Sequence, residues 1–241
     1  MEKPQAMKRF YKAVSVEPGD GGWRVLLDGR GIRTAGKRAQ VLPTSALADA
    51  MAQEWAGQGE EIDPAAFRFR DLADYAIDVV ATDPAEVIRG VLPYAETDTL
   101  CYRDAVGSAL HRLQLATWEP LLADAESRLG VRFERISGII HQPQPPALRE
   151  ALEDRLATFD PFTLAALQTL ASLAASLMIA LRALDPGADG VALWDAANLE
   201  EDWQARQWGI DAEAAARRDR RLNDFLAAMR FAALAAPPPS G

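Results

Sequence analysis

Residues 94–103, YAETDTLCYR, place two carboxylates, two phenols and the chain's one cysteine within ten positions. Three kinds of chemistry could use such a set. A cysteine can act as a nucleophile when a base lowers its pKa. The available bases are His111, ten residues on and on a separate expected helix, and His141, in a short extended insert. Two carboxylates can divide general acid and base work when they face one another. On a helix Asp98 falls four residues from both Tyr94 and Tyr102, sharing their face with Cys101, while Glu96 projects toward Leu100 and Arg103. The acids therefore do not face each other. The bland alternative is a structural carboxylate at Asp98 bracing two helices. Such a group must be hydrogen-bonded or paired, because burying a bare charge is costly. Cys101, at helical spacing from Val87, Val91 and Tyr94, reads most simply as a small core residue. Asp98 also has a possible part in contacting a partner.

A second stretch suits recognition better than catalysis. Residues 193–213, LWDAANLEEDWQARQWGIDAE, hold three of the six tryptophans beside a run of acids. Read as a helix over 191–207, they put Glu200, Trp203 and Gln204 close together, with Trp208 one turn further. A large ring that anchors and charges that orient are what an interface hot spot needs. The same residues could equally be core tryptophans with a solvated acidic face. Trp55, near the end of an earlier helix, carries the same two readings. Metal binding has little support: two separate histidines and one cysteine give no ligand spacing, and the acids of NLEEDWQ lack a calcium-loop pattern.

The elements that must position these groups change character along the chain. FYKAVSVE, WRVLLDG, IRT and QVLP are short runs separated by PGDGG and DGRG, the mark of a hairpin or meander. These glycines have no Gly-Lys-Ser/Thr after them, so they do not form a phosphate loop. After Pro43 the period becomes helical. Thr44 is a natural cap for SALADAMAQEWAGQG, and a second helix spans about 69–81. Asp83-Pro84 opens a helical stretch over 84–103, kinked or restarted at Pro93. Ser108 starts a helix to about Leu129. An extended insert covers 132–143, and helices follow near 146–158, 161–184, 191–207 and 211–235. The fold class expected is α+β: a β-rich unit with one or two helices over 1–82, a helical bundle over 83–236, and a disordered tail over 237–241.

Composition narrows the function. The 241 residues are 49% hydrophobic with a net charge of -9, so a general nucleic-acid binder or an anionic-membrane binder is disfavoured. Residues 1–40 carry nine Lys/Arg against four Asp/Glu, which leaves a strongly acidic remainder. One cysteine allows no internal disulfide. Residues 161–181, PFTLAALQTLASLAASLMIAL, lack charge over 21 positions, a bilayer-spanning length. Their alanines, threonines, serines and Gln168 argue instead for a central bundle helix, and no membrane insertion is expected. MEKPQAMKRF has no apolar signal core.

FYKAVSVEPGDGGWRVLLDGRGIRT, QVLPTSALADAMAQEWAGQGEEIDP, YAETDTLCYR, LQLATWEPLL and NLEEDWQARQWG, taken in order, resemble the assembly chaperones that bind the alpha subunit of the F1-ATPase, over about residues 8–233. The resemblance implies a β-rich N-terminal and a helical C-terminal domain, no enzymatic activity and no cofactor. It implies a holder of free alpha subunit that yields to the beta subunit. The site residues it implies are Trp55 and the acids of NLEEDWQ, with Glu200 or Glu201 foremost. Without a mitochondrial leader in the sequence, a bacterial member acting in the cytoplasm is expected, as a monomer, with family relatives in the mitochondrial matrix. The rival reading is a small soluble enzyme using Asp98 and Cys101 on an unknown substrate.

Overall fold

The computed structural model describes residues 7–138, 142–209 and 211–237. His141 and the last four residues of the expected tail, 238–241, lie outside them.

The N-terminal runs form a three-stranded antiparallel meander, β1 (Val14–Gly19), β2 (Gly22–Leu27) and β3 (Arg30–Gly31). Val16 pairs with Val25, which sets Val25 and Leu27 into the core. QVLP returns alongside β2, where Trp23 and Leu42 exchange backbone bonds. Gly22 permits that approach, since a Cβ at this residue would strike the Leu42 carbonyl. Thr44 accepts from the Leu47 amide and starts α1 (Ser45–Ala56), whose Leu47, Met51 and Trp55 pack against the sheet.

α2 (Arg68–Tyr75) continues through a π turn to Val80. Asp83 caps α3 (Pro84–Val91), and Pro93 restarts the chain as the single turn α4 (Pro93–Glu96). Ser108 caps α5 (Ala109–Leu129), which the left-handed Gly130 ends. α6 (Pro146–Leu156), α7 (Pro161–Ala174), α8 (Leu177–Ala183), α9 (Gly190–Ala197), α10 (Leu199–Trp208) and α11 (Ala212–Ala235) complete the chain. α7 is the hub. Its alanines let α2, α3, α8 and α11 approach closely, and Leu164, Leu167 and Leu170 are wholly buried. Two apolar clusters result, one under the sheet and one around α7. α11 returns from the far end of the chain to place Phe231, Ala232 and Ala235 in the first.

Three helical expectations are corrected. Helix does not run from 84 to 103. After α4 the chain makes a 3-10 turn at Thr99–Cys101 and then a strand, β4 (Tyr102–Arg103), parallel to β5 (Ile136–Ser137). Asp98 therefore shares no helical face with Tyr94 and Tyr102. The uncharged run 161–181 is two helices, broken where Ala175 adopts a left-handed φ of 48° and Ser176 caps α8. Among the described residues no helix is long and apolar enough to cross a membrane. The expected helix over 191–207 also divides, at Asn198, which turns its side chain back onto the Trp194 carbonyl at 2.8 Å.

Candidate functional site

Asp98 is completely buried and occupies the break between α7 and α8. One carboxylate oxygen accepts from the Leu100 amide at 3.0 Å and the other from the Met178 amide at 3.1 Å. Thr99 binds the Ala175 carbonyl through both its amide and its hydroxyl. Burial pushes the Asp98 pKa up to about 6, against the pull of hydrogen bonds from Ser176, Met178, Leu100 and Leu177. Every acceptor of this carboxylate is directed inward. Its neighbour Cys101 is also sealed, and burial, then the Asp98 charge, raise its thiol far above the reactive range. The ten-residue stretch is a splice that holds a helix break, and Arg103 extends it by pairing with Glu119 at 2.7 Å. Arg135 joins the same carboxylate at 2.8 Å, tying the β5 segment to α5.

The acids of α10 are arranged otherwise. All three stand in its first turn, where the helix dipole favours negative charge. Leu199 anchors the turn in the core. Glu200 accepts from Gln114 at 2.6 Å, and the wholly buried Gln114 in turn accepts from the Asp104 amide at 2.9 Å. Asp202 receives both ends of Arg218, at 2.9 and 2.6 Å, and Arg218 also reaches Asp195 at 2.9 Å. Glu200 and Asp202 thus fasten α10 to α5 and α11. Glu201, between them, is exposed.

α10 and α11 enclose an open groove of about 310 Å³. Glu201, Gln204 and Trp208 line one side, and Arg217, Arg218 and Arg221 the other. Trp208 is 81% exposed at the edge of this groove. At the groove's inner end lies the buried Trp194, whose indole N–H has no acceptor among the described residues. Arg221 spans from this end to the Leu173 carbonyl at 3.0 Å.

Of the residues singled out from sequence, the groove gathers Glu201, Gln204 and Trp208. Trp203 is half-buried and Glu200 is engaged by Gln114. Asp98 and Trp55 do not join them. Trp55 belongs to the cluster under the sheet, edge-on to Tyr11 and 4.4 Å from the Phe67 ring centre, with its carbonyl taken by the Tyr11 hydroxyl. The sequence reading missed the basic wall. RRDRR at 217–221 was the available signal, since it sets several guanidinium groups along one helix segment opposite NLEED.

The ATP12 chaperone protein family model matches residues 8–126. Solved structures extend the likeness over almost the whole chain. Atp12 from Paracoccus denitrificans superposes with a TM-score of 0.89 at 36% identity, covering 95% of this chain and 99% of that one. The chain belongs to the ATP12 chaperone family. A point variant of the same Paracoccus protein matches equally at 36% identity, covering 95% of this chain and 98% of that one, with a TM-score of 0.89. A candidate chaperone from Agrobacterium tumefaciens is 38% identical, with a TM-score of 0.89 over 94% of this chain and 85% of that one. Membership in the ATP12 family makes the protein an ATP synthase assembly chaperone.

Proposed function

We propose that this protein binds the free F1-ATPase alpha subunit through the α10–α11 groove and keeps it from aggregating until the beta subunit takes its place. An unassembled subunit exposes the face it will later bury, and such faces aggregate. A holder needs an anchor that gains by being covered and charges that fix register without binding too tightly. The observation that carries this reading is Trp208, left almost wholly in water beside Glu201 and Gln204 on a helix that Glu200 and Asp202 hold rigidly. The family membership supports a passive role, in which Cys101 and Asp98 perform no chemistry. On this reading the protein acts as a monomer in the bacterial cytoplasm, in keeping with the bacterial sources of the matched structures.

The test is co-expression of alpha subunit with the tagged protein. The proposal expects alpha subunit in the soluble fraction and in the captured material, and its release when beta subunit is added. Capture of beta subunit in place of alpha, or alpha subunit that aggregates regardless, overturns it.

A further inference from the structure

Among the described residues, the two most exposed large apolar side chains are Trp208 and Val106, each 81% exposed. They are far apart in sequence, Val106 standing in the loop between β4 and α5. That loop is held firmly. The Asp104 carboxylate accepts from the Ser108 hydroxyl at 2.6 Å, the Ser108 amide donates to the Ala105 carbonyl at 3.0 Å, and Arg112 reaches the Gly107 carbonyl at 3.2 Å. Gly107 takes the left-handed φ of 87° that the turn requires. A valine kept in water on a fixed loop contributes nothing to the core and gains by being covered. Gln114 joins this loop to α10. Its side-chain oxygen accepts from the Asp104 amide at 2.9 Å, and its side-chain nitrogen donates to Glu200 at 2.6 Å. One wholly buried side chain thus ties the loop that carries Val106 to the first turn of the helix that carries Trp208. From Glu200 to Trp208 is a further distance of about 12 Å along α10.

We propose that the contact surface for the alpha subunit runs from the α10–α11 groove along α10 to the 104–108 loop, with Val106 as its second apolar anchor and Gln114 as the residue that positions loop and helix relative to each other. The inference rests on the α10–α11 reading and extends it. The groove, at about 310 Å³, has room for a few side chains. A folded partner held stably covers about 800 Å² on each side, so its contact has to spread beyond the groove. The 104–108 loop is the neighbouring element that offers an uncovered apolar group and is fastened to α10 from within. The partner this surface fits is a folded subunit face with two separated apolar patches, the stretch between them polar enough to meet the exposed Glu201. A short peptide seated in the groove alone would not reach Val106.

The test compares tagged variants of the full chain for the alpha subunit recovered from cells that co-express it, with the urea midpoint of each variant measured alongside. Val106→Asp is expected to lower recovery about tenfold at an unchanged midpoint, and Val106→Ser to lower it less. Val79→Asp puts the same charge on another exposed valine, in the π turn after α2, and should recover alpha subunit as the unaltered chain does. A photo-reactive phenylalanine analogue at position 106 should crosslink to alpha subunit on irradiation, and one at position 79 should not. Full recovery with Val106→Asp, while Trp208→Ala loses alpha subunit, overturns the inference and leaves the α10 reading standing. Full recovery with both variants removes that reading, and the inference falls with it. An equal loss with Val79→Asp, or no crosslink from position 106, also overturns the inference.

Discussion

Residues 94–103 and residues 198–209 have much the same composition, acids set among aromatic side chains, yet the fold uses them in opposite ways. In the first, Asp98 is enclosed and all its partners are amides and a hydroxyl of its own chain. In the second, two acids are fastened inward while Glu201 and Trp208 remain in solvent. Residue type does not separate a brace from a contact surface. The deciding property is whether a side chain's hydrogen-bonding capacity is met within the molecule. The comparison also divides neighbours: Glu200 is bonded to Gln114 and positions α10, whereas Glu201 is exposed to solvent.

The sharpest way to break this contrast is to remove the brace. Asp98→Ala strands the Leu100 and Met178 amides in the core and should lower unfolding free energy by about 3 kcal/mol or more in urea titration. A change under about 1 kcal/mol would mean that the α7–α8 break holds without it.

Protonation tests the same carboxylate more gently. The folded-state pKa near 6 lies above the unfolded value of 3.8, so the folded state takes up the proton first as pH falls. This group therefore stabilises the fold progressively from about pH 7 down to pH 4, and its contribution is flat below the unfolded value. Asp98→Asn lacks the titration. The unaltered chain should gain on that variant by about 3 kcal/mol across this window, read as the difference between their unfolding free energies. Parallel pH profiles would contradict the assigned burial cause.

The smaller effects separate adjacent acids. Glu200→Ala leaves the Gln114 amide unmet and should cost about 1 to 2 kcal/mol, whereas Glu201→Ala should stay within about 0.5 kcal/mol of the unaltered chain. Equal costs for the two would erase the distinction drawn between them.

Local chemistry explains what could be read in advance. Thr44, Asp83 with Pro84, and Ser108 announce their helices because a cap acts on amides two or three residues away. PGDGG and DGRG announce the meander for a similar reason. The break at Ala175 was hidden, since neither glycine nor proline marks it and its cause, Asp98, lies 80 residues before Met178. The basic wall was concealed differently: Arg218 and Asp202 are only 16 positions apart, yet they meet only because α10 and α11 turn against each other. In the candidate site the sequence singled out Trp208 and the run of acids, but not which acid is spent on the fold. That depends on Gln114, 86 positions away.

The most direct measurement joins Glu201→Lys with Trp208→Ala in one variant and compares its urea midpoint with its ability to keep co-expressed alpha subunit soluble. The account predicts an unfolding free energy within about 0.5 kcal/mol of the unaltered chain and a loss of soluble alpha subunit of about tenfold or more. A stably folded variant that still keeps alpha subunit in solution would contradict it.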